Sequence, residues 1–144
     1  WLNREYIPHI AAYARAVLDL GFGAMERSFS RYRVFSRDLI HRHRGQSYET
    51  DAEFLDVEGT IALQIEAKRS AVETDRLVAA ISSVRHLRDL PPKAVKEIEY
   101  VLDLSPRKLW VVGPASIDPA RYVFDVHVDG LDATFTPGEL SLDR

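Results

Sequence analysis

Two carboxylates and a lysine stand where they could hold a divalent cation beside a water molecule: Asp51, Glu66 and Lys68. Residues Tyr48 to Val57 and Thr60 to Lys68 read as two strands joined by Glu58-Gly59 as a two-residue turn. In that register Ala52 faces Ile65, Phe54 faces Leu63 and Thr50 faces Ala67 on a largely apolar side. The other side sets Glu53 against Gln64, Asp51 against Glu66 and Glu49 against Lys68. Two carboxylates directly opposite one another destabilise a strand pair by a few tenths of a kcal/mol to about 1 kcal/mol. A cation between them turns that repulsion into shared coordination, and oxygen ligands completed by water suit Mg²⁺ or Mn²⁺. Lys68, on the same face as Glu66, adds a positive group able to hold a water or polarise a phosphate. These groups are the minimum for metal-assisted phosphodiester hydrolysis, with Gln64 lining the same face. The competing reading is a solvated strand face on which Glu49 and Lys68 form an ordinary ion pair.

The charge distribution bears on the substrate. The formal net charge of −3 points away from a polyanion ligand, but it averages two unequal parts. From Arg27 to Arg44 there are six arginines (Arg27, Arg31, Arg33, Arg37, Arg42 and Arg44) and one acid, Asp38, so this stretch is +5 and the remainder −8. Arginines interleaved with Phe29, Tyr32 and Phe35 suit phosphate contact and base stacking, and Arg33, Arg37, Arg42 and Arg44 are the candidates for nucleic-acid binding. The plainer reading is a strand edge guarded from aggregation by charge. His41 and His43 share a strand face, but with no third His or Cys nearby they read as surface or phosphate-contacting groups rather than metal ligands.

The elements that must position these groups follow from pattern and punctuation. Pro8 suits the first turn of a helix carrying Ile10, Ala14, Val17 and Leu18, which Gly21 closes. A strand is expected within 30–43, a turn at Gly45-Gln46-Ser47, and then the acidic hairpin. Ile61, Leu63, Ile65 and Ala67 alternate with Ala62, Gln64, Glu66 and Lys68, the period of a strand with two unlike faces. Ser70 with Glu73 forms a capping box opening a helix over 71–89, and Ala94 to Leu102 gives another, stopped by Ser105-Pro106. Lys108 to Val112 is an apolar strand with Trp110 in the core. Tyr122 to Val128 and Leu131 to Thr136 form a terminal hairpin about Asp129-Gly130. The order, helix, three-strand meander, helices, strand and hairpin, predicts one α/β domain over 1–144 with a mixed sheet flanked by helices. Its core covers about 5–113, with 115–144 as an extension.

Asp51 followed by Glu66-Ala67-Lys68 at a strand end resembles the signature of the PD-(D/E)XK nuclease superfamily, the restriction-endonuclease-like fold. The resemblance spans residues 5 to 113 as topology and three side chains as motif. It implies Asp51 and Glu66 as metal ligands, the Ala67 carbonyl as a further ligand and Lys68 as the group that orients or activates the attacking water. It also implies a Mg²⁺- or Mn²⁺-dependent endonuclease acting on DNA, with RNA the other substrate class. Thr50 replaces the proline that often precedes the aspartate, Glu5 is the one acid near the first helix's start, and the second helix has no glutamine, which argues against the helicase-associated members.

The absence of cysteine removes disulfides, thiolate metal sites and cysteine nucleophiles, and makes the cytoplasm the default location. No run approaches a membrane span and no signal-peptide pattern opens the chain, so no membrane partner is expected. No nucleophile elbow or glycine-rich phosphate loop occurs. The rival function is a catalytically inactive module of the same fold that binds nucleic acid or assembles with protein, as a homodimer or in a larger complex. A third reading gives the terminal hairpin, with Tyr122, Phe124, Val126 and Val128, a protein partner.

Overall fold

The computed structural model describes residues 6–19, 32–35, 39–43, 46–56, 58–114 and 122–140, with the backbone alone for Tyr6 and for 32–35, 39–43 and 46–49. In chain order the elements are α1 (Tyr6–Leu18), β1 (Tyr32–Phe35), β2 (Leu39–His43), β3 (Gln46–Thr50), β4 (Ala52–Asp56), β5 (Ile61–Ala67), α2 (Ala71–Ser83), α3 (Pro92–Ile98), α4 (Val101–Leu104), β6 (Lys108–Val112), β7 (Val123–Asp129) and β8 (Asp132–Pro137). Six strands form one sheet in the order β1-β4-β5-β6-β7-β8. Every neighbouring pair is antiparallel except β5 and β6, which run parallel. A parallel pair needs a long crossover, and α2, α3 and α4 supply it. The chain is thus an α/β protein with a mixed sheet, as the pattern predicts.

Both faces of the sheet are covered. On one, Ala12 and Ala16 of α1 join Phe54, Leu63, Ile65, Trp110, Val112 and Val123 in a buried cluster. On the other, Leu77 and Ile81 of α2 and Ala94, Ile98 and Val101 of α3 and α4 cover Leu109, Val111, Phe124 and Phe135. β6 therefore sends alternate residues into two cores, which is why it reads as an unbroken apolar run. The α1 pattern is met only in part: Val17 packs on the cluster as expected, but the small Ala12 and Ala16 face the sheet and let the helix sit close, whereas Ile10 and Leu18 are 64% and 80% exposed.

Several boundaries differ from expectation for local reasons. The strand expected within 30–43 is two strands, and Gln46 and Ser47, expected in a turn, open β3. β2 and β3 pair as a separate hairpin inserted between β1 and β4. The run from Tyr48 to Val57 breaks at Asp51, which sits at a bend between β3 and β4. Helix α2 ends at Ser83 rather than 89, because the extended segment after it bonds to β8: Phe135 N–H donates to Arg85 O, and His86 bridges to Thr134. The third helix is split at Glu99-Tyr100 into α3 and α4, and Ser105, in the left-handed region at φ 44°, closes it before Pro106. The terminal hairpin turns on Gly130-Leu131, with Asp129 facing Asp132. It extends the main sheet through β6 and β7.

The β4–β5 connection is the most instructive departure. Asp56 N–H bonds to Thr60 O and Asp56 Oδ1 accepts from the N–H groups of Glu58 and Thr60, so Thr60 closes on Asp56, one residue earlier than a two-residue turn at Glu58-Gly59 requires. A longer loop shifts the register by one, yet Ala52 faces Ile65, Glu53 faces Gln64 and Phe54 faces Leu63 as expected. A bulge restores it: Leu55 faces Ile61, leaving Ala62 as the extra residue. Among the described residues no helix is long and apolar enough to cross a membrane.

Gly59 closes this loop at φ +85°, and nothing lies within 4 Å of where its Cβ would stand. Gly59→Ala should therefore carry a purely conformational cost of about 1 kcal/mol. The expected readout is a lower urea midpoint with an unchanged slope; an unaltered midpoint would show that the loop does not need the left-handed residue.

Candidate active site

The acidic cluster forms where β5 ends. β5 is buried on both faces, so the strand with two unlike faces has no solvent face. Its apolar set enters the α1-side core, while Gln64 and Glu66 point under α3 and α4, at 0% and 9% exposure. This removes the reading of a solvated strand surface. Two buried polar residues in a central strand must find partners within the protein.

Glu66 finds two. Tyr100 OH donates to its Oε2 at 2.6 Å and Lys68 Nζ to its Oε1 at 2.7 Å. Lys68 Nζ also lies 3.0 Å from Glu97 Oε2, and Glu97 Oε1 accepts from Arg76 Nη2 of α2. Lys68 thus pairs with Glu66 and Glu97, while the side chain of Glu49, its partner in the solvated-face reading, lies outside the described residues. Glu97 and Tyr100, three residues apart, grip both members of the Glu66–Lys68 pair.

Asp51 joins differently from the register prediction. Pairing of β4 with β5 stops at Ala52 and Ile65, so Asp51 and Glu66 are not ladder partners, nor are Thr50 and Ala67. Instead Asp51 Oδ2 accepts the Ala67 N–H at 2.6 Å, taking the donor that a continued ladder would have used. Thr50 is fully buried and donates to Glu53 Oε1 at 2.9 Å. The N–H and C=O of a strand residue leave on the same side, so the Ala67 carbonyl shares the edge that Asp51 occupies. Gln64 donates to Ile65 O at 3.1 Å, and its Oε1 has no partner among the described residues.

The electrostatics follow from this crowding. Burial pushes Glu66 up, Lys68 pulls it down and Asp51 pushes it up again, leaving its pKa at about 7. Burial opposes the Lys68 charge, but Glu66 and Glu97 outweigh it and hold the ammonium above its ordinary pKa. Glu97 is also opposed by burial, yet the hydrogen bond from Arg76 and the ion pair with Lys68 hold it below the usual carboxylate value. The Tyr100 phenol is pushed well up, by burial first and by Glu66 next, so it is a donor at any ordinary pH.

The structure therefore brings Asp51, Glu66, Ala67 and Lys68 together, with Gln64 beside them on the Glu66 face. Arg33 lies in β1, antiparallel to β4, and Arg42 in β2; their side chains, together with Arg37, Arg44 and Glu5, lie outside the described residues. His41 and His43 are placed by backbone only, opposite Tyr48 and Gln46. Trp110 is fully buried, as expected. Sequence reasoning missed Glu97, Tyr100 and Arg76. They stand among other polar residues on α2 and α3 or between α3 and α4, so no local signal marks them, and what they reach is more than twenty residues away in the chain. Among the described residues no group of three or more His, Asp or Glu side chains converges on one point as a ready metal site.

Half of the capping box forms: Ser70 Oγ accepts Glu73 N–H, while the Glu73 carboxylate turns to Arg69. It starts α2 directly after Lys68, which fixes the end of β5 against the helix that carries Arg76. A second polar cleft, of about 240 Å³, is lined by His86, Arg88, His127, Asp129, Asp132 and Thr134. There Asp132 accepts from Arg88 N–H and meets His86 Nδ1 at 2.9 Å, which ties β8 to the segment after α2.

A carboxyl with a folded pKa of about 7 against an ordinary 4.5 gives stability that is present below pH 4.5 and lost as pH rises through 7. Without added metal, wild type should lose on the order of 3 kcal/mol across that window relative to Glu66→Gln. Thermal or urea unfolding against pH measures this, and parallel profiles for the two proteins would contradict it. Tyr100→Phe removes a hydrogen bond to the ionised form, so an NMR titration of the Glu66 carboxyl should move upward.

Comparison of the chain with protein-family models, with curated proteins and with solved structures finds no match, so the meaning of the cluster rests on its own geometry.

Proposed function

We propose that the chain is a divalent-cation-dependent nuclease domain with a restriction-endonuclease-like core, hydrolysing phosphodiester bonds in DNA. The observation that carries this reading is the meeting of Asp51, Glu66 and Lys68 in one cluster at the end of β5. The connectivity supports it: α1, then β1, β4 and β5 as an antiparallel meander, then helices, then β6 parallel to β5. That is the order the resemblance implies, with a β2–β3 hairpin inserted and a β7–β8 hairpin added.

The donor chemistry fits a hard cation. Two carboxylates close enough for one to raise the pKa of the other, beside a backbone carbonyl, are oxygen ligands that water and a substrate phosphate would complete. Asp51, Glu66 and the Ala67 carbonyl would hold Mg²⁺ or Mn²⁺, which when bound supplies phosphate polarisation and a more acidic water. Lys68 remains protonated between two acids, so it donates hydrogen bonds to the water or to a phosphate oxygen and does not remove a proton. Tyr100 fixes the far oxygen of Glu66. Arg33, Arg37, Arg42 and Arg44 would contact the flanking phosphates.

A second reading has its own observation. Both oxygens of Glu66 are already satisfied, by Lys68 and Tyr100, as they would be in a module that keeps the fold without the reaction. Incubation with plasmid and oligonucleotide DNA in Mg²⁺ or Mn²⁺ separates the two. Wild type should cleave, and Asp51→Ala and Lys68→Ala should each lose at least about a hundredfold. Equal cleavage by all three proteins would remove these residues from the mechanism. Salt-sensitive DNA binding with no Mn²⁺ uptake would establish the binding module.

A further inference from the structure

Lys68 has two acidic partners where one would neutralise it. Its Nζ lies 2.7 Å from Glu66 Oε1 and 3.0 Å from Glu97 Oε2, and the three side chains are only 13%, 11% and 18% exposed. In so dry a setting the ammonium cannot trade a lost carboxylate for bulk water without moving out of the cluster. If a divalent cation takes the Glu66 Oε1 position, like charge expels Lys68 from it, while Tyr100 keeps hold of Oε2. Glu97 remains, with its carboxylate oriented by Arg76 on its other oxygen.

Resting on the metal reading of Asp51 and Glu66, we propose that Glu97 is a positioning residue, a second seat that keeps the Lys68 ammonium in the site when a divalent cation displaces it from Glu66. Glu97 touches neither metal nor phosphate in this scheme. It acts by lowering the cost of exchanging an internal cation for an external one. An ammonium whose other partner has been removed stays on Glu66 and competes with the metal. Three donors on Nζ allow both contacts at once before metal arrives, so the exchange requires loss of one hydrogen bond rather than a new side-chain placement.

The test is calorimetric titration of Mn²⁺ into the full chain as wild type, Glu97→Gln, Lys68→Met and the double variant, with cooperative unfolding verified for each. Glu97→Gln should weaken Mn²⁺ binding at least about tenfold when Lys68 is present, and less than about twofold in the Lys68→Met background. Equal weakening in both backgrounds would overturn the proposal, because the loss of a negative charge near the site would then explain the whole effect. No weakening in the presence of Lys68 would overturn it as well. No Mn²⁺ uptake by any of the proteins overturns the metal reading and the seat together, a result distinct from metal binding that ignores Lys68.

Discussion

β5 is buried along its whole length on both faces, and one of those faces carries Gln64 and Glu66. That constraint shapes the rest of the molecule. A central strand with an apolar second face would need only apolar helices above it. Here the crossover between β5 and β6 must also bring a phenol, a carboxylate and a guanidinium over the strand end. The split between α3 and α4 falls at Tyr100, which both reaches Glu66 and belongs to the apolar cluster around Ile98 and Val101. The same short stretch therefore serves core and site.

How far this was legible in the sequence depends on the range over which each feature is determined. The pairing of Ala52 with Ile65 and Phe54 with Leu63 could be read because alternation of apolar and polar residues fixes which side of a strand is buried. The loop was read as one residue too short, and the Ala62 bulge cancelled the difference, since only that register keeps Phe54 and Leu63 in the core together. The end of α2 was not legible, because nothing local signals that Arg85 and His86 will pair with β8 some fifty residues later. On α1 two of the hydrophobic positions misled: Val17 packs on the cluster, but a helix lying close on a sheet buries its small residues, and Ile10 and Leu18 are left exposed.

The site divides in the same way. Asp51, Glu66 and Lys68 were visible as a motif because Glu66 stands near the end of β5, Lys68 follows two residues on, and Asp51 arrives through a short hairpin. Glu97, Tyr100 and Arg76 come from elements whose placement only the tertiary fold determines. Even the Asp51 contact differs in kind from a cross-strand pair. Its carboxylate caps the Ala67 N–H, so the bend that ends the ladder is also what turns Asp51 toward the strand end. A register argument predicts proximity correctly there and predicts the bond wrongly, since it treats the ladder as continuing past Ala52.

The ion pair between Lys68 and Glu66 has more than one meaning, and burial decides among them. On a solvated face such a pair would contribute about 0 to 1 kcal/mol and signify little. Under α3 it costs desolvation that its own attraction does not clearly recover, and an apolar pair of similar size would serve stability as well or better. The energetics show the cost locally: Asp51 and burial together raise Glu66 toward neutrality although Lys68 lies 2.7 Å away. What holds the pair is therefore its surroundings: Tyr100 fixes the second oxygen of Glu66, and Glu97, itself bonded to Arg76, shares the Lys68 ammonium.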